Sequence, residues 1–215
     1  MIGILAYGSL ISNPGREIKE ITDRTIVEVK TPFAVEYARK SRTRADSPTL
    51  VPVANEKGIS VKANIFVLNT DVQIDAAKDI LYRREMHEVG NFEKKYPQSN
   101  NPNIDKVIIE EITSISGVDI VLSTRIGTNI PEILDENHTA QEKAGLLANL
   151  AIKSVTKNTF FNNNDGIRYL DTAIQDGVIT RLTELYKQVL LNLTDNSPDL
   201  NEARLWVAKQ NNLIS

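Results

Sequence analysis

The sequence predicts an α+β protein, and three observations carry that prediction. Short apolar or alternating runs dominate the chain from Ile2 to Arg125. From Glu142 onward the apolar residues recur instead at helical spacing. No internal repeat interrupts this order. Strands gathered ahead of helices are the pattern of segregated sheets and helices, not of alternating βαβ units.

The elements follow in turn. Ile2 to Tyr7 is a nearly continuous apolar run closed by Gly8, the pattern of a short buried strand. Thr25 to Val29 and Phe33 to Ala38, on either side of Pro32, are strands. The basic run Arg39 to Arg44 follows, and Ser47-Pro48 marks a loop. Leu50 to Ala54 and Ile59 to Leu68 are β-rich, and Asn55-Glu56-Lys57-Gly58 between them reads as a hairpin turn with Gly58 supplying a positive φ. The period then changes. Ile74, Ala77, Ile80 and Leu81 predict a helix reaching Met86, capped by Thr70 or Asp71 and ended before Gly90. A turn-rich loop occupies 97–105, and Lys106 to Ile112 pairs with Val118 to Arg125 around Ser116-Gly117.

Helices follow over Glu142 to Val155, Ile167 to Gln175, Thr180 to Leu193 and Leu200 to Gln210, with breaks at Asn162 to Gly166 and at Asp176-Gly177. Leu182, Leu185, Tyr186, Val189, Leu190 and Leu193 make an apolar stripe with Lys187 outside it, and Trp206 serves as a docking anchor.

Length and charge narrow the function classes. The 215 residues fit one domain with a C-terminal extension, and no linker forces two independent domains. A formal charge of −3 leaves no basic footprint for nucleic acid. Cys is absent, which excludes disulfides and thiol catalysis. His87 and His138 are far apart and make no metal signature. No window approaches the ~18–20 apolar residues that span a bilayer. The N-terminal run is too short for a signal peptide and lacks basic residues before it, so the expected location is cytoplasmic. Oligomeric state is not legible.

Two stretches bear on chemistry. In Tyr7-Gly8-Ser9-Leu10 a strand ends in small residues, which leaves backbone N–H groups open to an anion or oxyanion; an ordinary turn has the same composition. In Leu81-Tyr82-Arg83-Arg84-Glu85 a carboxylate late in a helix is flanked by arginines and apolar neighbours. Partly withdrawn from water, such a group can exchange a proton near neutrality. A solvated Arg/Glu face would read the same way.

Taken together with Ser47-Pro48-Thr49-Leu50-Val51-Pro52, these stretches resemble the γ-glutamylcyclotransferase-like superfamily. Its members carry a "YGSL" or "YGSN" loop after the first strand, a "P-x-L-V-P" segment, and a helix with an "L-D-x-R-E" pattern. The resemblance covers about residues 1 to 127 and extends loosely to Gly166–Leu170 and Gly177–Thr180. The chain departs from it at Tyr82, where many members have Asp, at Met86, where many have Gly, and at Ala63, where Gly is common.

The resemblance implies a small, mostly antiparallel β-barrel with flanking helices over 1–127 and a helical extension over 128–215 packed on it. It implies Glu85 as catalytic acid/base, with Tyr7, Gly8, Ser9 and Leu10 binding substrate. The reaction would cyclise a small γ-glutamyl compound to 5-oxoproline and release an amine or amino acid, as a lyase or transferase of glutathione metabolism does, without metal or cofactor. Glu88, His87, the basic residues Arg39, Lys40, Arg42 and Arg44, and the aromatics Phe92 and Tyr96 are secondary candidates around such a pocket. Two other readings stay open. One is a non-catalytic module of the same fold that binds a small acidic metabolite. The other is an adaptor that uses an exposed apolar face on residues 180–193.

Overall fold

A computed structural model describes residues 1–97, 107–126 and 132–214. It divides into two compact units, Met1–Pro32 with Val61–Pro131, and Phe33–Ser60 with Glu132–Ser215. The expected boundary at 127/128 and most of the loop expected over 97–105 lie outside the described residues.

The first unit is built on a five-stranded sheet in the order β2-β5-β1-β7-β6. Its strands are β1 (Ile2–Ala6), β2 (Thr22–Lys30), β5 (Lys62–Leu68), β6 (Val107–Ile115) and β7 (Val118–Ile126). β1 lies at the centre, antiparallel to β5 and parallel to β7. A central strand has neighbours along both edges, and here Gly3 to Ala6 are all buried, which explains the continuous apolar run. β6 and β7 form the expected hairpin, and its turn residues Ser116 and Gly117 have φ of 50° and 79°.

Three helices among the described residues complete this unit. α1 (Ser9–Ser12) and α2 (Arg16–Ile21) follow β1, and α3 (Ile74–Glu85) follows β5. The two short helices had no periodic signal, since four and six residues are too few to show one. α3 begins at Ile74 with Gln73 as its N-cap and no side-chain cap, two to three residues later than a Thr70 or Asp71 cap would set it, so that expectation is corrected. Ala77 and Leu81 of α3 pack into one core with Ile4, Ala6, Leu10, Ile18, Phe66, Leu68, Ile109 and Leu122. Burying a side chain such as Leu81 contributes about 1.5–3 kcal/mol.

The second unit holds a two-stranded ribbon, β3 (Ala34–Ser41) and β4 (Ser47–Val53), with helices α4 (Ala140–Lys153), α5 (Lys157–Phe161), α6 (Gly166–Gln175), α7 (Thr183–Leu193) and α8 (Leu200–Gln210). Ser47 and Pro48 belong to β4, opposite Ser41 and Lys40, and not to a loop. β4 pairs with β3, whereas β5 pairs with β1 and β2, so 55–58 is not a hairpin turn. Gly58 has no positive φ. A Cβ there would lie 2.7 Å from the Val35 carbonyl oxygen and from Val53 Cγ2, so the position needs glycine for close approach.

α4 opens on a capping box in which the Glu142 amide donates to Thr139 Oγ1 and the Thr139 amide donates to Glu142 Oε2. Asp165 caps α6 and also accepts from Arg204 Nε at 2.6 Å, a buried ion pair that joins α6 to α8. The stripe on α7 is covered at Leu182, Tyr186 and Leu190, half-buried at Leu185 and Val189, and exposed at Leu193. An adaptor face over 180–193 would need those residues open.

The strands and helices confirm a mixed α+β architecture. Where a barrel was expected, the described strands form an open sheet with β2 and β6 at its edges, plus the β3–β4 ribbon.

Candidate active site

The first bend and the end of α3 meet within the first unit. Gly8 takes φ 57° and ψ −138°, a combination that suits a residue without a Cβ, and it turns the chain from β1 straight into α1. Its carbonyl accepts from the Ile11 amide at 3.1 Å, and the Ser9 carbonyl accepts from the Asn13 amide at 3.0 Å. Leu10 is 5% exposed and belongs to the core. The Tyr7 hydroxyl donates to the Thr124 carbonyl at 3.1 Å, which ties the bend to β7.

Glu85 is the last residue of α3, and its side chain is 24% exposed. Arg84 Nη1 donates to Glu85 Oε1 at 2.9 Å. The same guanidinium donates from Nη2 to Ser9 Oγ at 3.3 Å and to the Asn13 carbonyl at 2.8 Å. Its Nε reaches that carbonyl at 3.3 Å. Ser9 and Glu85, 76 positions apart in the numbering, therefore share one arginine. Arg84 thus bridges the carboxylate and the bend.

Arg83, on the next position of α3, is used differently. It is 4% exposed and pairs with Glu17 of α2, which is 6% exposed. Arg83 Nε donates to Glu17 Oε1 and Oε2 at 3.2 and 3.0 Å, and Nη2 bonds Oε2. Nη1 reaches the Lys94 carbonyl at 3.2 Å, and the Gly90 amide donates to Glu17 Oε1 at 2.6 Å. Burial alone would raise the Glu17 carboxyl, but hydrogen bonds and charge from Arg83 and the Gly90 amide outweigh it and hold the group below its ordinary value. This knot fixes α2, α3 and the segment after α3 together, and so fixes the end of the helix that carries Glu85.

The secondary candidates near α3 have other work. Glu88 accepts from Asn91 Nδ2 at 2.8 Å and pairs with Lys94 at 3.2 Å. His87 is exposed with φ 59°. The Tyr96 amide donates to Asp79 at 2.8 Å, and its hydroxyl accepts from the Ile109 amide at 2.9 Å. Phe92 is 63% exposed, with the Arg83 guanidinium 5.6 Å from its ring centre. Tyr82, at the position where the resembled pattern has Asp, packs edge-on against Tyr96 with 5.4 Å between ring centres. A cavity of about 300 Å³ beside α1 is lined by Ile11, Ser12, Pro14, Lys19, Thr22, Thr25 and Phe66.

The basic run lies in the second unit. Arg39 comes within 3.9 Å of Glu132, and Arg44 donates to Thr49 Oγ1 at 2.6 Å while its guanidinium lies 3.9 Å over the Tyr169 ring. That unit also holds a cavity of about 440 Å³, with Glu36, Lys57, Glu132, Glu136, Lys143 and Arg181 among its lining.

In the sequence Arg84 is marked only as a neighbour of Glu85. The bridge it makes ends on a backbone carbonyl, which leaves no mark in the sequence. Successive helix positions also point about 100° apart, so adjacency argued against the contact.

No family model matches the chain, and neither does any curated protein. Among solved structures it is similar to a yeast γ-glutamyl cyclotransferase specific to glutathione, at 12% identity and a TM-score of 0.53. That alignment covers 89% of this chain and 98% of the other. At that identity the likeness shows a shared fold.

Proposed function

We propose that the chain is a γ-glutamylcyclotransferase-like enzyme that cyclises a small γ-glutamyl compound to 5-oxoproline and releases the amine or amino acid. The observation that carries this reading is the join between Glu85 and the Ser9 bend through Arg84. It brings together in one compact unit two of the three stretches on which the resemblance rests, and the fold shared with the yeast enzyme supports the same reading.

The chemistry needs one acid/base. A γ-glutamyl substrate arrives with an α-ammonium group, which has no lone pair to attack with. Glu85 as carboxylate accepts one proton from it. The freed amine attacks the substrate's own γ-carbonyl and forms the five-membered ring. The γ C–N bond then breaks, and the departing amine leaves as an ammonium ion, taking the proton held by Glu85 and the second proton that the ring nitrogen sheds on acylation. Because the nucleophile and the carbonyl belong to one molecule, holding the substrate folded supplies much of the rate. The amide groups of the Gly8–Leu10 bend serve in this scheme as donors for the substrate carboxylate or the developing oxyanion. No step calls for a metal or redox group.

The test is direct. Purified protein is incubated with glutathione, γ-glutamyl amino acids and γ-glutamylamines, and 5-oxoproline is measured by mass spectrometry. Glutathione heads the panel because the structurally similar yeast enzyme is specific to it. At least one substrate should yield 5-oxoproline, and Glu85→Gln should abolish the yield with an unchanged circular dichroism spectrum. Turnover that survives in folded Glu85→Gln would overturn the assignment.

The cavity of the second unit favours a second reading, a binding module. Its lining holds four carboxylates, Glu36, Glu56, Glu132 and Glu136, against the three cations Lys57, Lys143 and Arg181. That balance suits a ligand bearing an ammonium group better than the acidic metabolite expected from sequence. Calorimetric titration with small amines and amino acids separates it from the enzyme reading.

A further inference from the structure

Arg84 and Glu85 occupy consecutive helix positions, and side chains so placed do not ordinarily face each other. Their 2.9 Å contact therefore has an outside cause. The Arg84 guanidinium is held at its far side by the Asn13 carbonyl, through Nε and Nη2, and by Ser9 Oγ. A planar guanidinium pinned along one edge has a fixed direction for its remaining N–H groups. Nη1 is thereby aimed at Glu85 Oε1. Arg84's side chain is only 13% exposed, so solvent does not compete strongly for those donors. Glu85 Oε2 has no protein partner among the described residues, while Oε1 is engaged.

We propose that Arg84 is a positioning residue that holds the Glu85 carboxylate beside the Ser9 bend by one oxygen and leaves Oε2 as the proton acceptor. This rests on the reading of Glu85 as acid/base. A carboxylate at a helix end otherwise samples several rotamers, and only some of them face the bend. The arginine selects one before substrate enters, so the acceptor is placed without drawing on substrate binding energy. The Asn13 carbonyl and the Ser9 hydroxyl act through Arg84 and not on the substrate in this scheme.

Arg84→Met and Arg84→Lys decide it. Arg84→Met should lower kcat about 10- to 100-fold, the loss expected from a displacement of about 1 Å in a reacting group. KM should hold within about twofold, since no substrate contact is removed. Arg84→Lys keeps the charge but not the fork and should recover little of kcat. Added guanidinium chloride at millimolar concentration should restore part of it in Arg84→Met and none in Arg84→Lys. A crystal structure of Arg84→Met should show the Glu85 carboxylate turned away from Ser9.

A rise in KM with kcat unchanged would instead make Arg84 a substrate-binding group and overturn the proposal. So would full activity in Arg84→Met, or a Glu85 carboxylate that keeps its place in that crystal. If wild-type protein turns over no γ-glutamyl compound, the enzyme reading fails, and the crystal structure alone still decides whether Arg84 places Glu85.

Discussion

Arg83→Met should destabilise the protein by an amount that grows as pH rises from 5 to 7. In the native protein the Glu17 carboxylate accepts from Arg83 and from the Gly90 amide, both partners being almost wholly buried. Removing the guanidinium leaves a buried anion with one backbone donor, a change that typically costs about 3–5 kcal/mol. Protonation sets a ceiling. From the ordinary value of 4.5, keeping Glu17 neutral at pH 7 costs about 1.36 kcal/mol per unit over 2.5 units, or about 3.4 kcal/mol. At pH 5 the same escape costs only about 0.7 kcal/mol.

The sign follows from linkage. In the native protein Glu17 lies below 4.5, so its contribution is complete above 4.5 and is lost as pH falls through the lowered value. In the variant the group lies above 4.5, so stability falls as pH climbs from there toward the new folded value. The penalty at pH 7 should therefore be about 3 kcal/mol, and it should exceed that at pH 5 by up to about 2.7 kcal/mol. Urea unfolding followed by ellipticity at both pH values measures it. Thermal midpoints should drop by about 6–12 °C at pH 7. The companion variant Glu17→Leu with Arg83→Met removes both charges and should recover most of the loss. A penalty below about 1 kcal/mol at pH 7, or one equal at the two pH values, would refute the reasoning.

Two further outcomes are expected. Gly58→Ala should lower stability by about 1–3 kcal/mol, because the new Cβ meets the Val35 carbonyl oxygen at 2.7 Å, and backbone cannot swing aside; melting temperatures check it. Glu36 is 1% exposed, and burial pushes its carboxyl above 4.5 against the opposing bonds from the Thr180 hydroxyl and the amides of Tyr37, Leu182 and Arg181. Its contribution is thus full below 4.5 and declines as pH rises through the folded value, the reverse of Glu17. Glu36→Gln should gain on wild type between pH 4.5 and pH 7, read from thermal midpoints across that range; a difference constant with pH would contradict it.

Periodicity and punctuation, which act over a few neighbours, decided much of this protein in advance. β1, the β6–β7 hairpin, α3 and α8 stand where apolar spacing and turn residues put them. The bend at Gly8 and the carboxylate of Glu85 at the end of a helix are likewise legible as local residue choices. Pairing between distant segments was not. β4 and β5 adjoin in sequence yet belong to different sheets, because each finds its partner by the shape and burial of strands elsewhere in the chain. Gly58 illustrates the difference, since its composition suggested a turn while its actual constraint is the carbonyl of Val35. Arg84 does so at the site itself. A helix alone would send it away from Glu85, and only the Asn13 carbonyl and Ser9 hydroxyl, delivered by the folded bend, turn it back.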